Sequence, residues 1–303
     1  MNEIYQFQFH PYKYPFPQPL LTSHGNWAVR EGIIVSLRDD NGRIGRGEIA
    51  PLPWFGSETF AMARNFCHQL GEEVNNQEIA AIPDSLPATQ FGIISAQEAL
   101  ECSQPQIPSL HYTYLLPAGA AALQVLASYK GEEGTFKWKI GVGDPVEERE
   151  ILAQLAQILP PGAKLRLDAN GGLTLPEAQK WLEVTDQMNL VEFLEQPLPH
   201  QQFPNMLALS YNYQTTLALD ESVATAKQLE ACYHGGWKGI FVIKAAIAGS
   251  PQRLRRFCHQ YEIDAVFSSV FETSIGRTAV LRLAAELSSP HRAVGFGVNH
   301  WLF

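Results

Sequence analysis

From about Leu110 onward, short apolar runs alternate with amphipathic stretches every 25 residues or so, and no other feature of the chain restricts its fold as much. The strand-like runs are His111–Leu116, Thr135–Ile140, Lys164–Leu167, Val191–Leu194, Thr215–Leu219, Gly239–Ile243, Ala265–Ser268 and Ala293–Phe296. Helical patterns such as Pro145–Leu159, Leu175–Met188, Ala226–Tyr233 and Ser274–Leu287 lie between them. Eight strands alternating with helices imply parallel strands and right-handed crossovers. That count suits a closed (β/α) barrel better than an open doubly wound sheet, whose G-x-G-x-x-G fingerprint does not follow the first strand. Gly141-Val142-Gly143 and Gly42–Gly47 are read as glycine-containing turns, not phosphate cradles.

The preceding residues have a different texture. Tyr5, Phe7 and Phe9 alternate with polar neighbours, as in a half-buried strand. Gly32–Leu37 and Ile44–Ala50 are further strands around the turn Asp40-Asn41-Gly42. Helices are expected at Ser57–Leu70, with Ser57 as N-cap, and at Ala88–Glu101 after Pro87. The chain thus divides into an α+β unit over 1–105 and a barrel over 106–296, with the tail 297–303 packing back on the first unit.

In a barrel enzyme the chemistry sits at the C-terminal ends of the strands. Lys137 and Lys139 share one face of the second strand, with Trp138 on the other. The third strand ends in Arg166-Leu167-Asp168-Ala169-Asn170, the fourth in Glu195-Gln196-Pro197, the fifth in Asp220-Glu221-Ser222 and the sixth in Lys244. Asp168, Glu195 and Asp220 recur at the barrel period, followed by Lys244. Three converging carboxylates repel unless a cation lies among them, and hard oxygen ligands suit Mg²⁺ or Mn²⁺. Taken singly, each has a plainer reading: the aspartates as helix caps, Glu195 as a loop carboxylate, the lysines as solvated side chains.

Composition narrows the partners. With 46% hydrophobic and 17% charged residues the chain is globular, and 22 Lys and Arg against 31 Asp and Glu leave a net charge of −9. That sign disfavours nucleic acid. Cys67, Cys102, Cys232 and Cys258 form no paired motif and read as reduced, packed thiols. Met1–Pro15 lacks the features of a signal peptide, and His111, Pro117, Gln124 and Ser128 interrupt the apolar stretch Leu110–Tyr129. A soluble cytoplasmic protein acting on a small molecule, away from membranes, is expected. The nine histidines form no metal-spaced pair and take no role.

The constellation Lys-x-Lys, three strand-tip carboxylates and a further lysine resembles the enolase superfamily, specifically its muconate-lactonising subgroup. Within that subgroup the segments GRGEIAPLPWFG at 45–56, followed by Ser57-Glu58-Thr59, and LDAN, EQPL, LDES and IKAAIAGS resemble the o-succinylbenzoate synthases. The resemblance implies a modified (β/α)₇β barrel capped by the N-terminal α+β domain. It also implies Mg²⁺-dependent syn dehydration of 2-succinyl-6-hydroxy-2,4-cyclohexadiene-1-carboxylate to 2-succinylbenzoate through a metal-stabilised enediolate, on a route to menaquinone or phylloquinone. The superfamily's pairing of a Lys or His base with Mg²⁺ is a known pattern. By resemblance Lys139 is the base, its pKa depressed by Lys137 and the metal, while Lys137 stays protonated and Lys244 supplies positive charge on the other face. Asp168, Glu195 and Asp220 are the implied metal ligands.

Asn170, Arg166, Ser250, Ser268, Ser269 and Glu48 are candidate substrate contacts, with Glu48 and the Pro51–Phe55 loop closing over the site. Arg166 has an equal alternative as an ion pair inside the barrel, and the serines as caps. Gly295–Asn299 lacks the Asp-x-Asp of the dipeptide epimerases. N-succinylamino acid racemisation, muconate-type cycloisomerisation, a Schiff-base lysine aldolase and a non-catalytic binding barrel are the rival readings.

Overall fold

The computed structural model describes residues 3–22, 25–101, 109–132 and 134–297. The N-terminal elements are β1 (Ile4–Thr22), β2 (Gly25–Arg38), β3 (Ile44–Ile49), α1 (Phe60–Leu70), β4 (Glu73–Asn75), α2 (Asn76–Ala80) and α3 (Pro87–Glu101). The four strands form an antiparallel sheet in the order β3-β2-β1-β4. As the alternation predicts, Tyr5 and Phe7 are buried. The β1–β2 hairpin runs much further than expected, from Gln6 opposite Arg38 to Thr22 opposite Gly25, with a register shift between Pro15 and Leu20. Prolines at 11, 15, 17 and 19 hide this half from a periodicity reading; Pro17 and Pro19 fall where the register shifts, while Pro11 and Pro15 stand opposite Ile33 and Val29. Thr59, not Ser57, caps α1, because the Ser57 hydroxyl accepts the backbone N–H of Leu52 instead.

Helix α3 lies against β3 at glycine contact. A Cβ on Gly47 would stand 1.9 Å from the carbonyl oxygen of Gly92.

The second part comprises β5 (Thr113–Leu115), α4 (Ala121–Ala127), β6 (Thr135–Lys139), α5 (Pro145–Ile158), β7 (Lys164–Asp168), α6 (Leu175–Thr185), β8 (Val191–Glu195) and α7 (Phe203–Asn212). It continues with β9 (Leu217–Leu219), α8 (Ala226–His234), β10 (Ile240–Ile243), α9 (Ala245–Ala248), α10 (Pro251–Tyr261), β11 (Ala265–Phe267) and α11 (Ser274–Leu287). Strands β5 to β11 form one parallel sheet in sequence order. The eighth strand expected at Ala293–Phe296 is reduced to two bridges, Val294 to Tyr112 and Gly295 to Ser268, which join the sheet's first and last edges. Three backbone bonds of 2.8–3.0 Å support the closure: Thr113 N to Val294 O, Val294 N to His111 O and Gly295 N to Phe267 O.

Inside the ring, Phe193, Ala218, Ile240, Val242 and Val266 form a separate apolar cluster, each at most 2% exposed. Around this plug a charged clasp forms: Arg166 to Glu192 at 2.6 Å, Glu192 to Arg292 at 2.7 Å, and Arg292 to Asp264 at 2.5 Å. The Gly141–Gly143 turn holds the carboxylate of Glu148 on three backbone N–H groups at 2.7–3.0 Å, so its anion cradle is already filled. No helix among the described residues is long and apolar enough to cross a membrane. Cys67, Cys232 and Cys258 are buried free thiols, pushed by burial to about 12, 11 and 12. The expected domain boundary at 105/106, Cys102, Asn299, His300 and the tail from 298 onward lie outside the described residues.

Candidate active site

Side-chain alternation on the barrel strands lifts the charges into place. Residues that plug the interior are followed two positions later by polar ones: Phe193 by Glu195, Ala218 by Asp220, Val242 by Lys244, and Val266 by Ser268. Parallel register sets Lys139 beside Asp168 and Asp168 beside Glu195. The six residues singled out from spacing therefore meet at one rim.

Lys137 Nζ lies 2.7 Å from Asp168 Oδ2 and 2.8 Å from Glu195 Oε1. Lys244 Nζ lies 2.5 Å from each oxygen of Asp220 and 4.0 Å from the ring centroid of Phe55, which reaches in from the N-terminal part. Lys139 is half-buried, and its Nζ makes no hydrogen bond or ion pair with the described residues. The lysines were expected to flank a cage of three carboxylates. Instead two of them stand among the acids, and no three acidic, His or Cys groups form a ready cation cage among the described residues. Buried carboxylates repel one another and turn to the nearest ammonium groups.

The charge balance is nevertheless acidic. Glu221, which strand spacing does not single out, is a fourth carboxylate, half-buried at this rim. Its Oε1 accepts from Asn170 Nδ2 at 3.2 Å, and its Oε2 is buried with no partner among the described residues. Its position directly after Asp220 in LDES was the available signal. Burial and the charge of Asp168 push Glu195 up to about 8. Burial outweighs Lys244 at Asp220 and lifts it to about 6. Burial and Asp168 also raise Glu221. At Asp168 burial is outweighed by Lys137 and the Asn170 N–H, so its carboxyl sits below the usual range, while those acids hold Lys137 firmly protonated. Four carboxylates, three of them buried, against two paired ammonium groups, with one oxygen orphaned, fit a hard divalent cation, which Asp168, Glu195 and Asp220 would hold.

Residues 4–100 match the family described as MenC, N-terminal domain, and residues 118–301 match the family described as enolase C-terminal domain-like. The chain is 41% identical to the o-succinylbenzoate synthase of Thermosynechococcus vestitus, over 98% of this chain and 93% of that one. The chain belongs to the o-succinylbenzoate synthase family. It is thus a hydro-lyase of the enolase superfamily, in a family of the menaquinone route. A solved o-succinylbenzoate synthase from Thermosynechococcus elongatus, complexed with Mg in its active site, matches with a TM-score of 0.93 at 40% identity, covering 98% of this chain and 94% of that one. The L-Ala-D/L-Glu epimerase from Bacillus subtilis shares the fold, with a TM-score of 0.77 at 20% identity over 99% and 91% of the chains.

The other candidate contacts scatter in this synthase-family chain. Arg166 takes the second of its two readings. The residue is 1% exposed, and its guanidinium donates to Glu192 and Thr113 and lies 4.8 Å over Phe193, engaged inside the barrel. Ser250 caps α10, the second of its two readings, and Ser269 donates to Glu272 Oε2 within its own loop. Glu48 is corrected: fully buried, it accepts from Tyr12 Oη, from Thr273 N and Oγ1, and from Gly276 N, so it holds the start of α11 instead of covering the site. Asn170 stays at the rim in the left-handed region (φ 44°), its N–H donating to Asp168 Oδ1. Ser268 Oγ is buried at the top of β11 with no partner among the described residues.

Proposed function

We propose that this chain performs the syn dehydration of 2-succinyl-6-hydroxy-2,4-cyclohexadiene-1-carboxylate to 2-succinylbenzoate with Mg²⁺, and that Asp168, Glu195 and Asp220 hold the metal. The observation that carries the reading is the contrast among three lysines at one acidic rim: Lys137 and Lys244 are paired, whereas Lys139 has no acid of its own. When bound, Mg²⁺ supplies Lewis-acid stabilisation of the charge that develops on the substrate carboxylate as its α-proton leaves. Mn²⁺ is the second metal this oxygen set would accept.

Lys139 Nζ is the proton acceptor, since a base must keep its lone pair out of an ion pair. Lys137, held protonated by two carboxylates, donates hydrogen bonds toward developing negative charge. In a syn elimination proton and hydroxyl depart from one face, so the ammonium formed at Lys139 Nζ returns its proton to the leaving hydroxyl as water. Lys244, under the Phe55 ring, presents positive charge to the opposite face of the forming aromatic ring. Ser268, with an unspent buried hydroxyl, and Asn170 bind the substrate's carboxylates. The N-terminal part up to 105 acts as the cap on the barrel of 106–296. The buried thiols suit a reducing, cytoplasmic setting.

Incubating the purified chain with Mg²⁺ and the cyclohexadiene, and following the rise of aromatic absorbance, tests the reading. A folded protein that racemises N-succinylamino acids but forms no aromatic product overturns it.

A further inference from the structure

Arg30 sits in β2, outside the charged rim, and is only 2% exposed. Its guanidinium bonds backbone carbonyls and no carboxylate. Nη1 donates to Glu31 O and Pro51 O, both at 2.9 Å, and Nε donates to Phe271 O at 3.2 Å. Nη2 is buried with no partner among the described residues. A buried cation spent on carbonyls is costly unless what it joins matters. Two of the joined segments are walls of the site. Pro51 begins the loop that carries Phe55 to Lys244, and Phe271 lies in the loop between β11 and α11, three residues after Ser268.

That second loop is held against its own preference. Phe271 has φ 61°, a left-handed conformation that costs a phenylalanine about 1–3 kcal/mol. Its ring is wedged edge-on against Phe16 at 5.7 Å and Trp27 at 5.4 Å. Trp27 in turn stacks edge-on with Trp54 of the first loop at 5.0 Å, and the Arg30 guanidinium lies 5.5 Å from the Trp27 ring. One side chain and one aromatic cluster therefore lock both loops together.

We propose that Arg30 is a positioning residue for the reaction: it fastens the Pro51–Phe55 loop to the loop after β11 and so fixes Phe55 over Lys244. The rate consequences rest on the dehydration reading above; the fastening itself does not.

The test compares Arg30→Met and Arg30→Lys with the wild-type chain. In folded Arg30→Met the near-ultraviolet dichroism of the Trp27–Trp54 pair is lost and kcat falls about 100-fold, the scale of a displaced catalytic group. Mg²⁺ affinity by calorimetry stays within about twofold, as for independent sites. Arg30→Lys keeps the charge but fewer bonds and falls between. Phe55→Leu costs less in the Arg30→Met background than alone, because the ring is already misplaced. Wild-type kcat in folded Arg30→Met, additive effects of the two substitutions, or Mg²⁺ affinity falling in step with kcat overturns the proposal. Should Arg30→Met not fold, Arg30→Lys carries the same measurements. If the wild-type chain makes no aromatic product yet Arg30→Met abolishes the tryptophan signal, the dehydration reading fails and the fastening stands.

Discussion

Lys139 and Lys137 are two residues apart on one strand, and their different company decides their chemistry. Lys137 spends its ammonium on Asp168 and Glu195; Lys139 has no such partner among the described residues. Lys139→Ala is therefore expected to lower kcat by ~10²–10⁴-fold, the range of a lost general base. Lys244→Ala also slows turnover but, with a substrate analogue lacking the hydroxyl, still exchanges its α-proton with solvent deuterium through Lys139. Exchange at the wild-type rate in Lys139→Ala, with none in Lys244→Ala, would reverse the assignment. The acids give a second expectation. Burial and mutual repulsion already oppose ionisation of Glu195, so Glu195→Gln, like Asp168→Asn or Asp220→Asn, should weaken Mg²⁺ binding and abolish turnover while leaving far-ultraviolet dichroism intact. Wild-type Mg²⁺ affinity in any of the three would remove that residue from the ligand set.

Two elements hold the barrel and its cap in shape by different means. Helix α3 approaches β3 so closely that Gly47→Ala forces backbone against backbone, and thermal or chemical unfolding should show at least about 3 kcal/mol of lost stability. The closing segment at 293–296 depends on charge: Arg292 donates two bonds to Asp264 and one to Glu192. Burial pushes Asp264 up, but Arg292 and Ser289 outweigh it and hold its carboxyl below the ordinary 3.8. A depressed carboxylate adds stability above its unfolded value and loses it as pH falls through the folded one. Asp264→Asn should therefore cost about 1–2 kcal/mol of stability near neutrality once screening of its 36% exposed side chain is allowed for, read as a lower Tm. The gap from wild type should close progressively below pH 3.8; a constant gap down to acid pH would assign the loss to packing.

Across the whole molecule, the two parts meet through a buried carboxylate. Glu48 accepts from Thr273, 225 residues away, and from Gly276 at the start of α11. Glu48→Gln turns an amide toward those N–H donors, and about 2–4 kcal/mol of stability should be lost with Mg²⁺ affinity unchanged; parallel loss of both would move Glu48 back into the site. This contact also marks the limit of what spacing conveys. The sequence by itself determined the barrel, the cap's antiparallel strands and the rim of Lys137, Lys139, Asp168, Glu195, Asp220 and Lys244. Strand alternation and a repeat of one strand per 25 residues or so are local properties, and they set which side chains face inward and at which end. Only the tertiary structure decided the fate of residues sharing that local pattern. Arg166 and Asp168 lie on the same face, yet a register shift at Leu165/Arg166 and an arginine 100 residues beyond Glu192 draw Arg166 into the interior clasp. The proline-rich half of β1, the place of Phe55 over Lys244 and the clamp at Glu48 likewise depend on pairings between distant segments, whose strength comes from burial and hydrogen bonding that no single stretch of chain encodes.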